Sequence, residues 1–239
     1  MSKVLLTRPT FDGLETSKVL QTFNIESLCI PLLEIKKKIH NPILYSEYDI
    51  FLFTSKNGVR NFKINVKKLS MDKLIFAVGN ETKNLLLDHG YKNIISTDGN
   101  LENLKKGIIK YLKKDLKILH PTSSIKNDLK NFFFKYKCKY FHLQCYSALK
   151  VNKNKSLFKK FMISKNDKIV TIYSSLTARS FINEVKKLDL IRYCKNKIFI
   201  VISANVKREL ECLGLCKIEV AKKPIENEMI NLVIKNYKG

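Results

Sequence analysis

The stretch FTSKNGVRNF, residues 53–62, decides the fold because its character changes abruptly along ten residues. It continues the apolar run at residues 50–52, then passes through two hydroxyl side chains and Asn57-Gly58 to the basic Arg60. An apolar run that ends in small polar residues is typical of a buried strand turning into a helix. Strands buried on both faces read as nearly continuous apolar runs, so the pattern predicts a parallel sheet covered by helices.

A close copy of this stretch, IYSSLTARSF, occupies residues 172–181, and it is one of three segments that recur in the same order. VLLTRP at 4–9 matches ILHPTS at 118–123, and AVGNETKNLLLDHG at 77–90 matches VISANVKRELECLG at 201–214. The offsets are 114, 119 and 124 residues, so the copies differ by small insertions. Three matches in one order predict two similar α/β domains, with a division near residue 114.

The composition limits the class of protein. The chain is 45% hydrophobic, and no apolar run approaches the ~18 residues of a membrane span. The start, MSKVLLTRPT, lacks the longer apolar core of a signal peptide, so we predict a cytoplasmic protein with no membrane segment. The net charge of +24 attracts polyanions, yet the lysines are dispersed and are typical of AT-rich coding sequence. Because no basic face with interleaved aromatics is evident, a nucleic-acid-binding protein is the weaker alternative.

Metal and cofactor motifs are missing from the sequence. The six cysteines include no CxxC pair, and the four histidines are scattered. Cys212 and Cys216 lie four residues apart, but no second pair completes a zinc site, so we interpret them as reduced structural thiols. The eight glycines form neither GxGxxG nor GxxxxGK[ST]. We therefore expect no metal and no cofactor, and chemistry that rests on binding, orientation and at most one proton donor.

Hydroxyl-bearing turns recur where strands give way to helices, which is where open α/β sheets bind ligands. Each turn combines polar side chains with backbone N–H groups at a helix start, an arrangement that binds anions. For any single turn, ordinary helix capping is the alternative. Five such turns in two domains favour an anion-binding site. The predicted binding residues are Thr7, Arg8, Ser55, Lys56, Asn57, Gly58, Gly79, Thr82, Ser174, Ser175, Thr177, Ser203 and Asn205.

Arginine is scarce and selectively placed. Five of the 45 basic residues are arginine, and four of the five follow apolar strand-like runs. The planar guanidinium fork matches a carboxylate, which a lysine ammonium does not. This placement favours a ligand that carries carboxylates.

Together these segments resemble the uroporphyrinogen-III synthase family. The resemblance rests on VLLTRP, FTSKNGVRNF, AVGNETKNLLLDHG, CYSALKV, IVTIYSSLTARSF and VISANVKRELECLG, which follow the family's order along the whole chain. It implies an α/β fold with two similar parallel-sheet domains, a two-stranded linker, and an active site in the cleft between the domains. Domain 1 would comprise residues 1–36 and 150–239, domain 2 residues 39–144, with linkers near 33–38 and 145–151.

The resemblance also implies an activity. The enzyme would be a monomeric lyase that cyclises the linear tetrapyrrole hydroxymethylbilane to uroporphyrinogen III, with loss of water and inversion of the last pyrrole ring. It gives Tyr146 the catalytic role of helping the hydroxyl leave, and a phenol is protonated at neutral pH and can donate. Ser55, Thr82 and Ser174 match binding positions of the family. The alternative is a non-catalytic binding module for a small polyanion.

The chain departs from the family pattern at three places. His120-Pro121 stands where an Arg-Gly type of turn is usual, and proline removes a backbone N–H there. Tyr173 replaces a small residue before Ser174, and Asn205-Val206 replaces a hydroxyl-rich pair. These departures put carboxylate binding at the turns concerned in question.

Overall fold

The structure is a computed structural model that describes residues 3–41, 43–62, 73–97, 101–124, 127–214 and 217–238. The chain divides into two compact units. Unit 1 comprises Met1–Glu34 and Leu149–Gly239, and unit 2 comprises Ile35–Ala148. Each unit contains its own five-stranded parallel sheet flanked by helices, which confirms the predicted fold class of two parallel-sheet α/β domains.

Short strands alternate with helices along the described chain. The strands are β1 (Val4–Leu6), β2 (Ser27–Cys29), β3 (Leu33–Lys37), β4 (Ile50–Phe53), β5 (Leu74–Val78), β6 (Ile94–Thr97), β7 (Lys117–Thr122), β8 (Lys139–Gln144), β9 (Tyr146–Lys150), β10 (Ile169–Ile172), β11 (Ile198–Val201) and β12 (Lys217–Val220). The helices are α1 (Thr10–Gln21), α2 (Lys56–Asn61), α3 (Asn80–Asp88), α4 (Leu101–Ile108), α5 (Asn127–Lys135), α6 (Lys155–Ile163), α7 (Ser175–Lys187), α8 (Ile191–Cys194), α9 (Ala204–Leu210) and α10 (Glu226–Lys238). Single turns of 3-10 helix lie at Tyr45–Glu47, Ile109–Tyr111 and Glu211–Leu213.

The sheet of unit 1 is covered on both faces, which explains its continuous apolar strands. Its order is β12-β11-β10-β1-β2, with every neighbouring pair parallel. Along β1, Leu5 packs with Phe181 and Phe199 on one face, while Val4 and Leu6 belong to a separate core cluster on the other. Because successive side chains of a strand point to opposite faces, both faces of β1 are therefore buried.

The sheet of unit 2 is built in the same way. Its order is β6-β5-β4-β7-β8, again with parallel pairs throughout. Phe51 and Phe53 of β4 pack in one core cluster, and Ile50 and Leu52 pack in another together with Phe133. The apolar run that precedes the Ser55 turn is thus a central strand of a doubly covered sheet.

The recurring sequence segments occupy equivalent places in the two sheets, although the chain visits them in different orders. β1 and β7 correspond, as do β10 and β4, and β11 and β5. Unit 1 takes its first two strands from the start of the chain and the other three from the end. The division near residue 114 that the repeat alone predicts therefore falls inside unit 2.

Residues 139–150 form two consecutive strands, β8 and β9, that belong to different sheets. The break is at Cys145, whose N–H donates to the Thr122 carbonyl at 3.1 Å and so continues the β7–β8 pairing. The Cys145 carbonyl accepts instead from the Lys38 N–H at 2.9 Å, next to the two-stranded β3–β9 sheet. The chain therefore leaves the five-stranded sheet of unit 2 at Cys145 and enters the β3–β9 sheet at the next residue, Tyr146.

Candidate functional site

Each sheet contains a point where the direction of winding reverses. In unit 2 the chain runs from β4 through β5 to β6 towards one edge, and from β7 to β8 towards the other. In unit 1 the reversal lies between β10 and β1. Open α/β sheets bind ligands beyond the carboxyl ends of the strands that flank such a point. The Ser55 turn follows β4 and the Ser174 turn follows β10, so both predicted turns lie at these positions.

The structure brings together Ser55 and Tyr146, two of the predicted site residues, within unit 2. Ser55 precedes α2, and its Oγ accepts a hydrogen bond from the Gly58 N–H at 3.2 Å, as an N-terminal helix cap does. The same Oγ lies 3.0 Å from the hydroxyl of Tyr146, whose residue is only 6% exposed. The two hydroxyls are 91 positions apart in the chain, so their contact is purely tertiary.

Close packing explains why residue 58 is a glycine, and the sequence pattern does not reveal this. A Cβ built on Gly58 would lie 2.7 Å from the carbonyl oxygen of Pro121 on the neighbouring β7, closer than real Cβ contacts come. Backbone cannot move aside as a flexible side chain can, so the position requires glycine. The close approach of α2 to β7 holds the Ser55 turn against the adjacent strand end.

Three hydrogen-bonded side chains, those of Thr54, His120 and Tyr140, stabilise the residue that precedes the Ser55 cap. The hydroxyl of Thr54 lies 2.9 Å from Nε2 of His120, and Nδ1 of His120 lies 2.6 Å from the Tyr140 hydroxyl. His120 is completely buried, and burial raises the pKa of Tyr140, so its phenol stays protonated and can donate to Nδ1. In that arrangement the Nε2–H donates to Thr54. The departure at His120-Pro121 therefore has a structural role, which sequence reasoning missed.

The other predicted residues of unit 2 lie around the starts of α2 and α3. Lys56 forms an ion pair of 2.9 Å with Glu81 in the first turn of α3, so its ammonium already has a carboxylate partner. The Asn57 carbonyl accepts from the Asn61 side chain at 2.9 Å. Gly79 precedes α3 at a φ of 83°, a backbone conformation that favours glycine, and Thr82 is buried in the first turn.

In the Ser174 turn of unit 1, the serine hydroxyl is hydrogen-bonded within the turn. Ser174 precedes α7, and its Oγ accepts from the Thr177 N–H at 3.1 Å and lies 2.8 Å from the Thr177 hydroxyl. Thr177 is buried, whereas Ser175 is half-exposed at the start of the helix. Arg179, one turn further along, pairs with Glu209 at 2.5 Å. The turn therefore presents backbone groups and Ser175 outward, with its other hydroxyls paired internally.

Thr7 and Arg8 follow β1, next to the Ser174 turn in the sheet, and both are engaged inside unit 1. The Thr7 hydroxyl donates to the Thr171 carbonyl at 2.7 Å. The Arg8 guanidinium is 8% exposed, donates to Glu226 at 2.5 Å, and lies 4.1 Å above the ring of Tyr173. Burial raises the pKa of Tyr173. This ion pair joins the start of α10 to the end of β1, and Glu226 is a second residue that sequence reasoning missed.

The remaining predicted turn contains Ser203 and Asn205. Ser203 precedes α9 without a capping bond from its side chain, and Asn205 is exposed and accepts a hydrogen bond from Arg208. The structure thus places these residues at the carboxyl end of β11, beside the Ser174 turn. None of the hydrogen bonds described for Ser203 and Asn205 joins them to another predicted binding residue.

Within the described ranges, no group of three or more His, Cys, Asp or Glu side chains is arranged to hold a metal ion. In the same part of the chain, no helix is long and apolar enough to span a membrane. Cys216, one member of the cysteine pair discussed above, lies outside the described residues.

The geometry so far defines a doubly wound α/β protein whose capped, hydroxyl-bearing turns lie at the winding reversal of each sheet. The sequence profile described as uroporphyrinogen-III synthase HemD matches residues 15–231. The chain therefore belongs to the uroporphyrinogen-III synthase family.

Individual relatives agree with this assignment. The chain is 25% identical over 205 residues to the porphyrin biosynthesis protein HemD of Ruminiclostridium josui. That match covers 79% of this chain but 40% of the relative, so the chain spans less than half the length of that protein.

Solved structures show the same fold. The uroporphyrinogen-III synthetase of Helicobacter pylori aligns with a TM-score of 0.67 at 16% identity, over 99% of this chain and 100% of the other. A mutant uroporphyrinogen III synthase of the extremely thermophilic bacterium Thermus thermophilus aligns with a TM-score of 0.61 at 12% identity, over 99% and 98% of the two chains.

Proposed function

We propose that this chain is a uroporphyrinogen-III synthase, which cyclises hydroxymethylbilane to uroporphyrinogen III with loss of water and inversion of the last pyrrole ring. The observation that carries the proposal is the 3.0 Å contact between Tyr146 and Ser55 at the winding reversal of unit 2, in a chain of this family. It places two hydrogen-bonded hydroxyl groups where open α/β sheets bind ligands.

Tyr146 acts as the proton donor in the first step. Its phenol protonates the leaving hydroxyl of the bilane, water departs, and a cationic intermediate remains. Ser55 orients the phenol, because its Oγ is itself held by the Gly58 N–H. A proton donor held in position contributes roughly 10²–10⁴-fold to such a step. The contact thus serves both orientation and proton transfer.

The turns of both units bind carboxylates of the substrate. At the start of α2 and of α7 the first backbone N–H groups point out of the helix, and the helix dipole favours an anion there. In unit 2 the proposed binding residues are Ser55, Lys56, Asn57, Gly79 and Thr82, and in unit 1 they are Ser174, Ser175, Ser203 and Asn205. Gly58, Thr177 and Thr7 maintain the shape of the turns instead, because the Gly58 and Thr177 N–H groups donate to the capping serines and the Thr7 hydroxyl donates to the Thr171 carbonyl. The net charge of +24 attracts the polyanionic substrate.

Arg8 takes a positioning role in this proposal. Its guanidinium is committed to Glu226 and to the ring of Tyr173, the residue directly before Ser174. Binding a substrate carboxylate would require breaking a largely buried ion pair, which is costly. Arg8 therefore positions the Ser174 turn through its contact with Tyr173. No cofactor or metal is part of the proposed reaction.

The test is a turnover assay that resolves product isomers. Hydroxymethylbilane cyclises unaided without inversion to isomer I, so the purified chain is mixed with fresh substrate and the I and III isomers are separated. We expect isomer III to dominate. If isomer I alone forms at the uncatalysed rate, the activity is refuted. Substrate binding without turnover would then identify the alternative, a non-catalytic module for a small polyanion.

The proposal also includes a cytoplasmic monomer that does not bind nucleic acid. All five described cysteines are free thiols, which fits a reducing compartment. A gel-retardation series at rising salt tests the nucleic-acid alternative, because binding to DNA or RNA would weaken steeply with salt. Sedimentation of the purified chain tests the monomeric state.

A further inference from the structure

A basic pocket lies in unit 1 at the amino ends of β10, β11 and β12. It has a volume of about 480 Å3, and we call it the lysine pocket. Lys168 and Lys197 directly precede β10 and β11, and Lys217 is the first residue of β12. The proposed turns lie at the carboxyl ends of β10 and β11, about 20 Å away at ~3.3 Å per residue, since six residues separate Lys168 from Ser174. The lysine pocket is therefore a different place from the proposed catalytic site.

The charge of the lysine pocket is concentrated beyond the composition of the chain. Five of its eleven lining residues are lysines, and no acidic residue is among those eleven. Lys165, Lys168 and Lys195 are exposed, and none of the ion pairs between described residues involves them. Lys217 lies 3.6 Å from Glu219. The rim thus carries three ammonium groups that form no ion pair with a described carboxylate, beside Lys217, which does.

At the floor of the lysine pocket, a buried ammonium group partly offsets the negative carbonyl end of α6. The buried ammonium of Lys197 donates to the carbonyls of Phe161 at 3.0 Å and Ser164 at 2.7 Å, and also to that of Asp167. These carbonyls end α6 and begin the following loop, where a helix terminus carries partial negative charge. Burial lowers the pKa of Lys197 to about 8, while the nearby Asp167 carboxylate opposes that change. Its three donors thus engage one carbonyl of the last turn of α6 and two carbonyls that follow the helix.

The lining also has an apolar part. Met162, Ile163, Tyr193 and Ile198 line the lysine pocket beside the lysines. A volume of about 480 Å3 falls within the usual ~300–1,000 Å3 of small-molecule sites, and it exceeds what a single oxyanion needs. The combination suits a ligand whose anionic group contacts the exposed lysines and whose organic part contacts the apolar lining residues.

We propose that the lysine pocket is a second ligand site, which binds a small phosphorylated molecule through the ammonium groups of Lys165, Lys168 and Lys195. Lysine binds phosphate as a point charge, whereas planar bidentate recognition of carboxylates favours arginine, which does not line this pocket. The inference does not depend on the proposed activity, because the lysine pocket lies at the opposite ends of the strands from the proposed turns. It is also tested without measuring turnover.

The test uses inorganic pyrophosphate as the probe and titration calorimetry as the readout. At about 0.1 M salt, charges more than ~10 Å apart are largely screened, so the overall charge of the chain contributes little. The pocket variant combines Lys165→Gln, Lys168→Gln and Lys195→Gln. The matched control combines Lys18→Gln, Lys186→Gln and Lys187→Gln, which are also exposed residues of unit 1 and remove the same charge.

We expect saturable binding to the unaltered chain, weakened about tenfold or more in the pocket variant and by about twofold or less in the control. Equal losses in the two variants, or no saturable binding to the unaltered chain, would overturn the site. Citrate binding as tightly as pyrophosphate would overturn the phosphate preference.

A second measurement does not rely on the variants folding. Pyrophosphate should protect Lys168 and Lys195 of the unaltered chain from an amine-reactive label, as read by mass spectrometry, and leave Lys18 and Lys186 unprotected. Uniform labelling with and without pyrophosphate would contradict the proposal.

Discussion

The Ser55 turn of unit 2 and the Ser174 turn of unit 1 occupy equivalent positions in two similar sheets, yet their hydroxyls have different partners. Both serines cap a helix by accepting a backbone N–H three residues ahead. Ser55 then meets the Tyr146 phenol at 3.0 Å, whereas Ser174 meets Thr177 of its own turn at 2.8 Å. The comparison shows that the same capping pattern gives the two turns the same backbone conformation. The chemistry of each turn then depends on which side chain packs against the capping serine.

The supports beneath the two turns differ as well. In unit 2, the Thr54 hydroxyl forms a hydrogen bond to His120, which is bonded in turn to the Tyr140 hydroxyl. In unit 1, the corresponding residue Tyr173 lies under the Arg8 guanidinium, which is paired with Glu226. One support depends on hydrogen-bond geometry and the other on a largely buried charge pair, so the two turns should respond differently to substitution.

The largest expected effect breaks the support of unit 1. Arg8→Met leaves Glu226 largely buried without its cation, and loss of one partner of a buried pair should cost about 3 kcal/mol in the free energy of unfolding. Urea unfolding followed by circular dichroism measures it. The exposed pair Lys153–Glu34 provides the control, since Lys153→Met should cause no measurable loss.

A double variant sharpens this prediction. Adding Glu226→Met to Arg8→Met removes the stranded carboxylate, so part of the lost stability should return. If the double variant is as unstable as the sum of the two single variants, the pair is not what holds this part of unit 1.

The next effect concerns the chemistry assigned to unit 2. Tyr146→Phe removes the proposed proton donor but leaves the ring packed, so the rate of isomer III formation should fall about 100-fold. The cost in stability should stay near the ~1 kcal/mol of one hydrogen bond. Tyr91→Phe is the matched control, because Tyr91 is another phenol of unit 2 that is 6% exposed like Tyr146 and forms no described hydrogen bond to the Ser55 turn. An unchanged rate for Tyr146→Phe would refute the role of its phenol.

A third prediction tests the close approach that only unit 2 requires. Gly58→Ala places a Cβ against the Pro121 carbonyl and should destabilise the chain by about 2 kcal/mol, as overpacking does. Gly13→Ala in α1 of unit 1 would make only ordinary contacts, at 3.6 Å and beyond, so it should be neutral or stabilising by up to ~1 kcal/mol. Thermal melts of both variants decide the point, and similar melting temperatures would contradict it.

The smallest effect compares the two serines directly. Ser55→Ala and Ser174→Ala should each cost about 1 kcal/mol as lost helix caps. Ser55→Ala should also lower kcat, since the Tyr146 phenol loses the group that orients it. Ser174→Ala should mainly raise KM, because the role proposed for this turn is to bind substrate without taking part in proton transfer. Matching kinetic changes in both variants would show that the turns have the same role.

Local patterns in the sequence were enough to predict much of the architecture. The apolar run at residues 50–52 is a central strand, and Ser55 is a helix cap, because burial on two faces and capping both depend on neighbouring residues. The order of the repeats correctly predicted two parallel-sheet domains. The same patterns missed the break at Cys145, because the residue pairs with Thr122 on one side and Lys38 on the other, and neither is near it in sequence.

The sequence by itself determined the fold class, the recurring turns and their hydroxyl chemistry, since all of these follow from hydrophobic periodicity and short-range capping. Tertiary structure alone decided the partners. Arg8 is neutralised by Glu226, 218 positions away, and Tyr146 meets Ser55 across 91 positions. Such contacts depend on which strands lie side by side, and the two units connect equivalent strands in different orders. A capping motif therefore predicts where a turn lies, and only the packed sheet decides which side chain faces it.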